Sequence, residues 1–113
     1  MIDSHCHLAD DAFSDDVAAV VDRARAAGVD QALCILDVTN DTECARAGRL
    51  ASLWKALRFA AGVHPHQAGG FTDRLDSVVP AVTAVRERHD RVSAIGEIGL
   101  DYHYDFCPRS TQI

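Results

Sequence analysis

Ala32-Leu33-Cys34-Ile35-Leu36 is a compact apolar run bounded by Gln31 and Asp37. An unbroken apolar stretch of that length predicts a buried strand. On its N-terminal side, Val17, Val20, Val21 and Ala24 recur at helical spacing. They form an amphipathic stripe. Ser14 is the expected cap, with Asp15 and Asp16 favourable beside a helix N-terminus. Arg23 and Arg25 suit the last turn, and Gly28 supplies the stop. On the C-terminal side, Asn40 and Glu43 resemble a capping box with Asn in place of Ser or Thr. Cys44, Ala47, Ala51 and Trp54 then mark one face of a second helix.

The same alternation continues in both directions. Met1–Leu8 reads as a first strand, Leu57–Val63 as a third and Val92–Ile98 as a fourth. Leu75, Val78, Val79 and Val82 repeat the helical stripe, and Pro80 either sits in the first turn of that helix or kinks it. A polar, aromatic loop runs from Asp101 to Pro108. One strand and one helix per roughly 30 residues is the size of a right-handed crossover unit. The fold class is therefore α/β with parallel strands. Periodicity leaves two architectures open, a small open sheet or part of a closed (β/α) barrel.

The 113 residues suffice for one small domain. Apolar residues make up 48% and charged residues 25%, which excludes an intrinsically disordered chain. Eleven Lys and Arg against 17 Asp and Glu leave a net charge of -6, which argues against a polybasic nucleic-acid binder. A phosphate-bearing substrate would need local positive charge or bound metal ions. Neither a signal-peptide pattern nor an apolar run of membrane-spanning length is visible, so a cytoplasmic location and no membrane partner are expected. Cys6, Cys34, Cys44 and Cys107 form no CxxC pair and read as isolated reduced thiols.

Three segments could carry chemistry. Asp3-Ser4-His5-Cys6-His7 ends the first strand. Alternate strand residues share a face, so His5 and His7 project together, about 6–7 Å apart at Cα. Such a pair either binds one metal through neutral nitrogens or forms two hydrogen-bonded structural histidines. Gly96-Glu97-Ile98-Gly99-Leu100-Asp101 ends the fourth strand. A carboxylate there is costly to bury unless a metal or an arginine pairs it. Ligands gather at the carboxyl ends of parallel strands, which brings Glu97 to the same end of the fold as the histidines. Asp101 could ligate, orient a histidine or cap a turn. Gly62-Val63-His64-Pro65-His66 ends the third strand. Its histidines either face substrate or bond to backbone. His89, near Arg86 and Arg88, reads as part of a solvated face at a helix end. His103, between Tyr102 and Tyr104, could reach the site or pack on its rim. No Rossmann fingerprint, P-loop or nucleophile elbow occurs, so nicotinamide, P-loop and serine-hydrolase chemistry have no support.

Taken together, these three blocks resemble the TatD-type metal-dependent deoxyribonucleases, within the amidohydrolase-like barrels. The resemblance runs from Ile2-Asp3-Ser4-His5-Cys6-His7-Leu8 to Pro108-Arg109 and Gln112, with Ala9 as a departure where the family often has an acidic residue; Asp10 or Asp11 could substitute. It implies that the chain is the N-terminal part of a TIM (β/α)8-type barrel, about four βα units and a single incomplete hydrolase domain over 1–113. It implies that His5 and His7 ligate a divalent metal, that Glu97 bridges two such ions (Mg, Mn or Zn), and that His64 and His66 line the substrate side. The implied reaction is hydrolysis of DNA phosphodiester bonds by metal-activated water. The family's later histidine ligands and its late aspartate, the general base, fall outside these residues and are expected beyond Ile113, so the chain alone is expected to be inactive. A complete barrel needs about 250 residues. Two other readings stay open. One is a non-catalytic half-barrel that binds or self-associates through exposed sheet edges. The other is a metal-dependent amidohydrolase or lactonase on a related barrel.

Overall fold

A computed structural model describes residues 1–113. Four strands, β1 (Ile2–Cys6), β2 (Gln31–Asp37), β3 (Leu57–Gly62) and β4 (Val92–Ile95), form one sheet in the order β1-β2-β3-β4. Every neighbouring pair is parallel. Three helices, α1 (Val17–Ala26), α2 (Asp41–Leu53) and α3 (Val78–Arg88), connect them, and a short α4 (Arg109–Gln112) follows β4. The strand order never reverses. Right-handed crossovers then place every connecting helix on the same face, as around a barrel, whereas a doubly wound sheet reverses at a switch point.

The core lies between that face and the helices. Leu36, Leu57 and Phe59 from β2 and β3 are fully buried and pack among Val21 of α1, Cys44 and Leu50 of α2, and Val85 of α3. In β2 and β3 nearly every residue is covered, while β1 is exposed along most of its length. The unbroken apolar runs of the middle strands and the polar β1 reflect that difference.

Several boundaries differ from the sequence expectation. Ser14 does not cap α1; it closes a 3₁₀ turn at Asp11–Phe13, and Asp16 takes the N-cap position without a side-chain bond. Asn40 does cap α2, accepting from the Thr42 and Glu43 amides at 3.2 Å each. Glu43 departs from the capping-box pattern by accepting from the Asp37 amide instead. Pro80 falls in the first turn of α3, where its missing N–H costs nothing. The α3 stripe also turns: Val85 is buried, while Leu75 and Val79 stand exposed over a cleft shared with Ile95, Ile98 and Ile113.

β4 ends at Ile95 rather than Ile98. The Gly96 amide still donates to the Ala61 carbonyl, and beyond it the chain leaves the sheet. Gly62 shapes this exit. A Cβ on Gly62 would lie 2.6 Å from the Glu97 carbonyl oxygen and 2.7 Å from the Gly96 carbonyl carbon. Only glycine at the end of β3 lets the backbone carrying Glu97 cross so closely. Gly99 adopts φ +124°, a conformation that side chains disfavour, and redirects the chain toward Asp101.

Candidate metal centre

The carboxyl ends of β1, β3 and β4 converge. His5 lies in β1, and His7 follows it two residues later on the same face. Their Nε2 atoms stand 3.1 Å apart. That is a hydrogen-bond distance if one nitrogen is protonated. It also suits a shared ion, since two nitrogens about 2.1 Å from one metal are about 3.0 Å apart at a right angle and about 3.4 Å at the tetrahedral angle. Glu97 Oε2 approaches His5 Nε2 to 3.6 Å and His7 Nε2 to 3.8 Å. One ligand atom from each of His5, His7 and Glu97 falls within 4.8 Å of the others. Two imidazoles and a carboxylate are a donor set that suits a divalent ion. All three side chains remain partly open to solvent.

His64 stands behind this cluster. Its Nδ1 accepts the His66 amide at 3.1 Å, so a neutral His64 carries its proton on Nε2. That nitrogen faces Glu97 Oε1 at 3.8 Å. His64 therefore presents a donor to the second carboxylate oxygen, while the first faces His5 and His7.

His66 points away from Glu97 and pairs with Asp101, Nε2 to Oδ2 at 2.5 Å. Asp101 Oδ1 accepts the His103 and Tyr104 amides. The His66 contact, followed by the His103 amide, holds the Asp101 carboxyl below the usual carboxylate range. Gln112 closes the loop, accepting from the Asp101 amide and donating to the Asp101 and Cys107 carbonyls. Of the roles open to Asp101, the structure shows two: it orients a histidine and caps the turn after it.

Other expectations resolve differently. His89 is no solvated residue; it is the C-cap of α3, and its Nε2 is buried without a partner. His103 is exposed and packs edge-on against Tyr104, on the rim. Cys6 and Cys34 are not isolated from each other, because the β1–β2 register sets them side by side. Contact with the Cys34 sulfur, then burial, pushes the Cys6 thiol up. All four cysteines are free.

Two acidic residues join the site without having been singled out for it. Asp37 and Glu43 line an open cleft of 150 Å³ with His7, His64 and Glu97. Asp37 ends β2, and the carboxyl-end rule that singles out Glu97 applies to it equally. Its Oδ1 is occupied by the Thr39 amide and hydroxyl, so it also holds the turn.

Comparison with known proteins places the fold and the family. A crystal structure of YjjV, a TatD homolog from Escherichia coli, superposes with a TM-score of 0.75 at 33% identity, over 99% of this chain and 42% of that one. The 3'-5' ssDNA/RNA exonuclease TatD of Klebsiella pneumoniae is 38% identical over 112 residues, 99% of this chain and 40% of the relative. The uncharacterized metal-dependent hydrolase YabD of Bacillus subtilis is 30% identical over 99% of this chain and 42% of its own length. The chain thus spans about two fifths of these relatives, and its α/β fold matches the N-terminal part of their barrel. The family model described as TatD related DNase matches residues 2–113, and the chain belongs to that family.

Proposed function

We propose that this chain forms the N-terminal, metal-binding part of a hydrolase that cleaves DNA phosphodiester bonds. It is read as one incomplete barrel domain over residues 1–113. His5, His7 and Glu97 would hold a divalent ion, and a complete site would take two (Mg, Mn or Zn), with Glu97 as a ligand. The observation that carries this reading is the convergence of those three side chains, from opposite ends of the sequence, within 4.8 Å. A divalent ion there would polarise a phosphodiester and lower the pKa of a nearby water molecule. His64 faces Glu97 Oε1 from the other side, while Oε2 faces His5 and His7. His66, fixed by Asp101, lines the substrate side with His64 and offers an imidazole to a phosphate oxygen. The ions would supply the positive charge that a net charge of -6 lacks. No helix is long and apolar enough to cross a membrane. Four unpaired thiols fit a reducing, cytoplasmic setting.

The test compares the 113-residue chain with a chimera that joins it to the remaining part of the Klebsiella relative. The chain alone should bind divalent metal weakly and leave single-stranded DNA intact. The chimera should cleave it with Mn²⁺, and Glu97→Ala should abolish cleavage. A folded, metal-loaded chimera that leaves DNA intact would refute the proposal. Robust cleavage by the chain alone would refute the need for further ligands.

A second reading, self-association through the sheet edges, is favoured by one observation. Ile95, Ile98 and Leu100 are 66%, 63% and 57% exposed beside the free edge of β4. Two copies meeting there would cover them. Sedimentation velocity should then show a concentration-dependent dimer. A monomer throughout the accessible range excludes it.

A further inference from the structure

The Asp101–Pro108 loop carries aromatic rings that the fold leaves uncovered. Tyr104 is 51% and Phe106 66% exposed. Their rings stack with centroids 5.4 Å apart and planes 29° apart. Phe106 leans on the His66 ring at 4.7 Å, and Tyr104 meets it edge-on at 5.6 Å. The platform thus adjoins the candidate metal centre through a continuous row. His66 packs on His64 at 4.3 Å, and His64 faces Glu97 at 3.8 Å. On the outer side an open cleft of 690 Å³ runs past Thr39, His66, Gln67, Arg74 and Phe106.

We propose that Tyr104 and Phe106 form a stacking platform for a base of single-stranded nucleic acid, next to the phosphodiester held at the metal centre. The inference deepens the proposed hydrolase reading and rests on it. Three observations select this occupant. With a net charge of -6 and no ion bound, the chain has little electrostatic hold on a strand, so stacking has to contribute to affinity. The exposed groups are flat π-faces that accept any base, the sequence-tolerant device of single-strand binders. Pairing within a duplex would stack the base on its neighbours and keep it from the rings, so the platform selects unpaired strands. Asp101 is the positioning residue of this subsite. It accepts the Tyr104 amide and holds His66 against both rings.

The experiment measures binding without hydrolysis. Fluorescence anisotropy in EDTA compares the 113-residue chain with two labelled strands, octathymidylate and an abasic octamer of equal charge. The platform predicts about ten-fold tighter binding of the strand with bases. Phe106→Leu keeps apolar volume and should erase that preference, with abasic binding unchanged. Phe106→Trp should preserve it. Tyr104→Leu should weaken it independently. Circular dichroism confirms that each variant folds, which the exposure of both rings favours. Equal binding of the two strands, or binding of neither, overturns the platform. So does a dimer that buries both rings. None of these outcomes bears on metal-dependent cleavage by the chimera, whose failure would instead overturn the hydrolase reading.

Discussion

At the scale of single residues, the site depends on which atom of each histidine is free. His5 and His7 turn Nε2 toward Glu97, whereas His64 uses Nδ1 to hold the His66 amide and keeps a proton on Nε2. His64 therefore faces Glu97 Oε1 with a donor, 3.8 Å away. His64→Phe removes that imidazole and should weaken Mn²⁺ binding, as measured by calorimetry. Asp101 gives a different readout. Its carboxyl is held low in the folded state by His66 and the His103 amide. A depressed folded value means that the ionised form stabilises the fold at neutral pH. That contribution starts to fade as the pH falls below about 5 and is lost once it passes the lowered value. Asp101→Asn keeps an oxygen for the turn amides but removes the charge. Urea midpoints measured from pH 7 downward should fall less steeply in the variant than in the wild type. Parallel curves would show that the His66–Asp101 contact contributes nothing.

Among the elements, the placement of Glu97 rests on close contact between β3 and the segment leaving β4. Gly62→Ala would drive a methyl group into the Glu97 and Gly96 backbone, which unlike a flexible side chain cannot swing aside. The expected loss is about 1–3 kcal/mol in denaturant unfolding, as for other overpacked sites. Metal affinity should fall with it. Asn40→Ala should cost about 1 kcal/mol by removing the α2 cap and leave metal binding in place, since Asn40 touches only its own turn and Glu43. The same elements show what a sequence reveals. The α1 and α2 stripes and the β2 run are legible because their period is local, and Val17, Val21, Cys44 and Ala47 are indeed buried. The end of β4 is not, because the chain leaves the strand across Gly62, more than thirty residues upstream, and that close approach is no local signal. The α3 stripe is legible in part. Val82 packs against the core and Val85 is buried, while Leu75 and Val79 stand exposed over the cleft toward Ile95.

Across the whole molecule, sequential parallel strands carry His5, His7, His64 and Glu97 to one end of the sheet. That assembly is legible in the sequence, because parallel strands and the carboxyl-end rule bring these residues to one end whatever the strand order. The His66–Asp101 pair, the Gln112 clasp and the contributions of Asp37 and Glu43 emerge only in three dimensions. We propose that His5, His7 and Glu97 bind one divalent ion between them. Isothermal titration of the 113-residue chain with Mn²⁺ and Zn²⁺ tests it most directly. One ion per chain should bind weakly, and His5→Ala, His7→Ala and Glu97→Ala should each abolish that binding, while His89→Ala, at the far end of α3, should leave it unchanged. No binding by the wild type, or binding that survives loss of any of the three, would contradict the account.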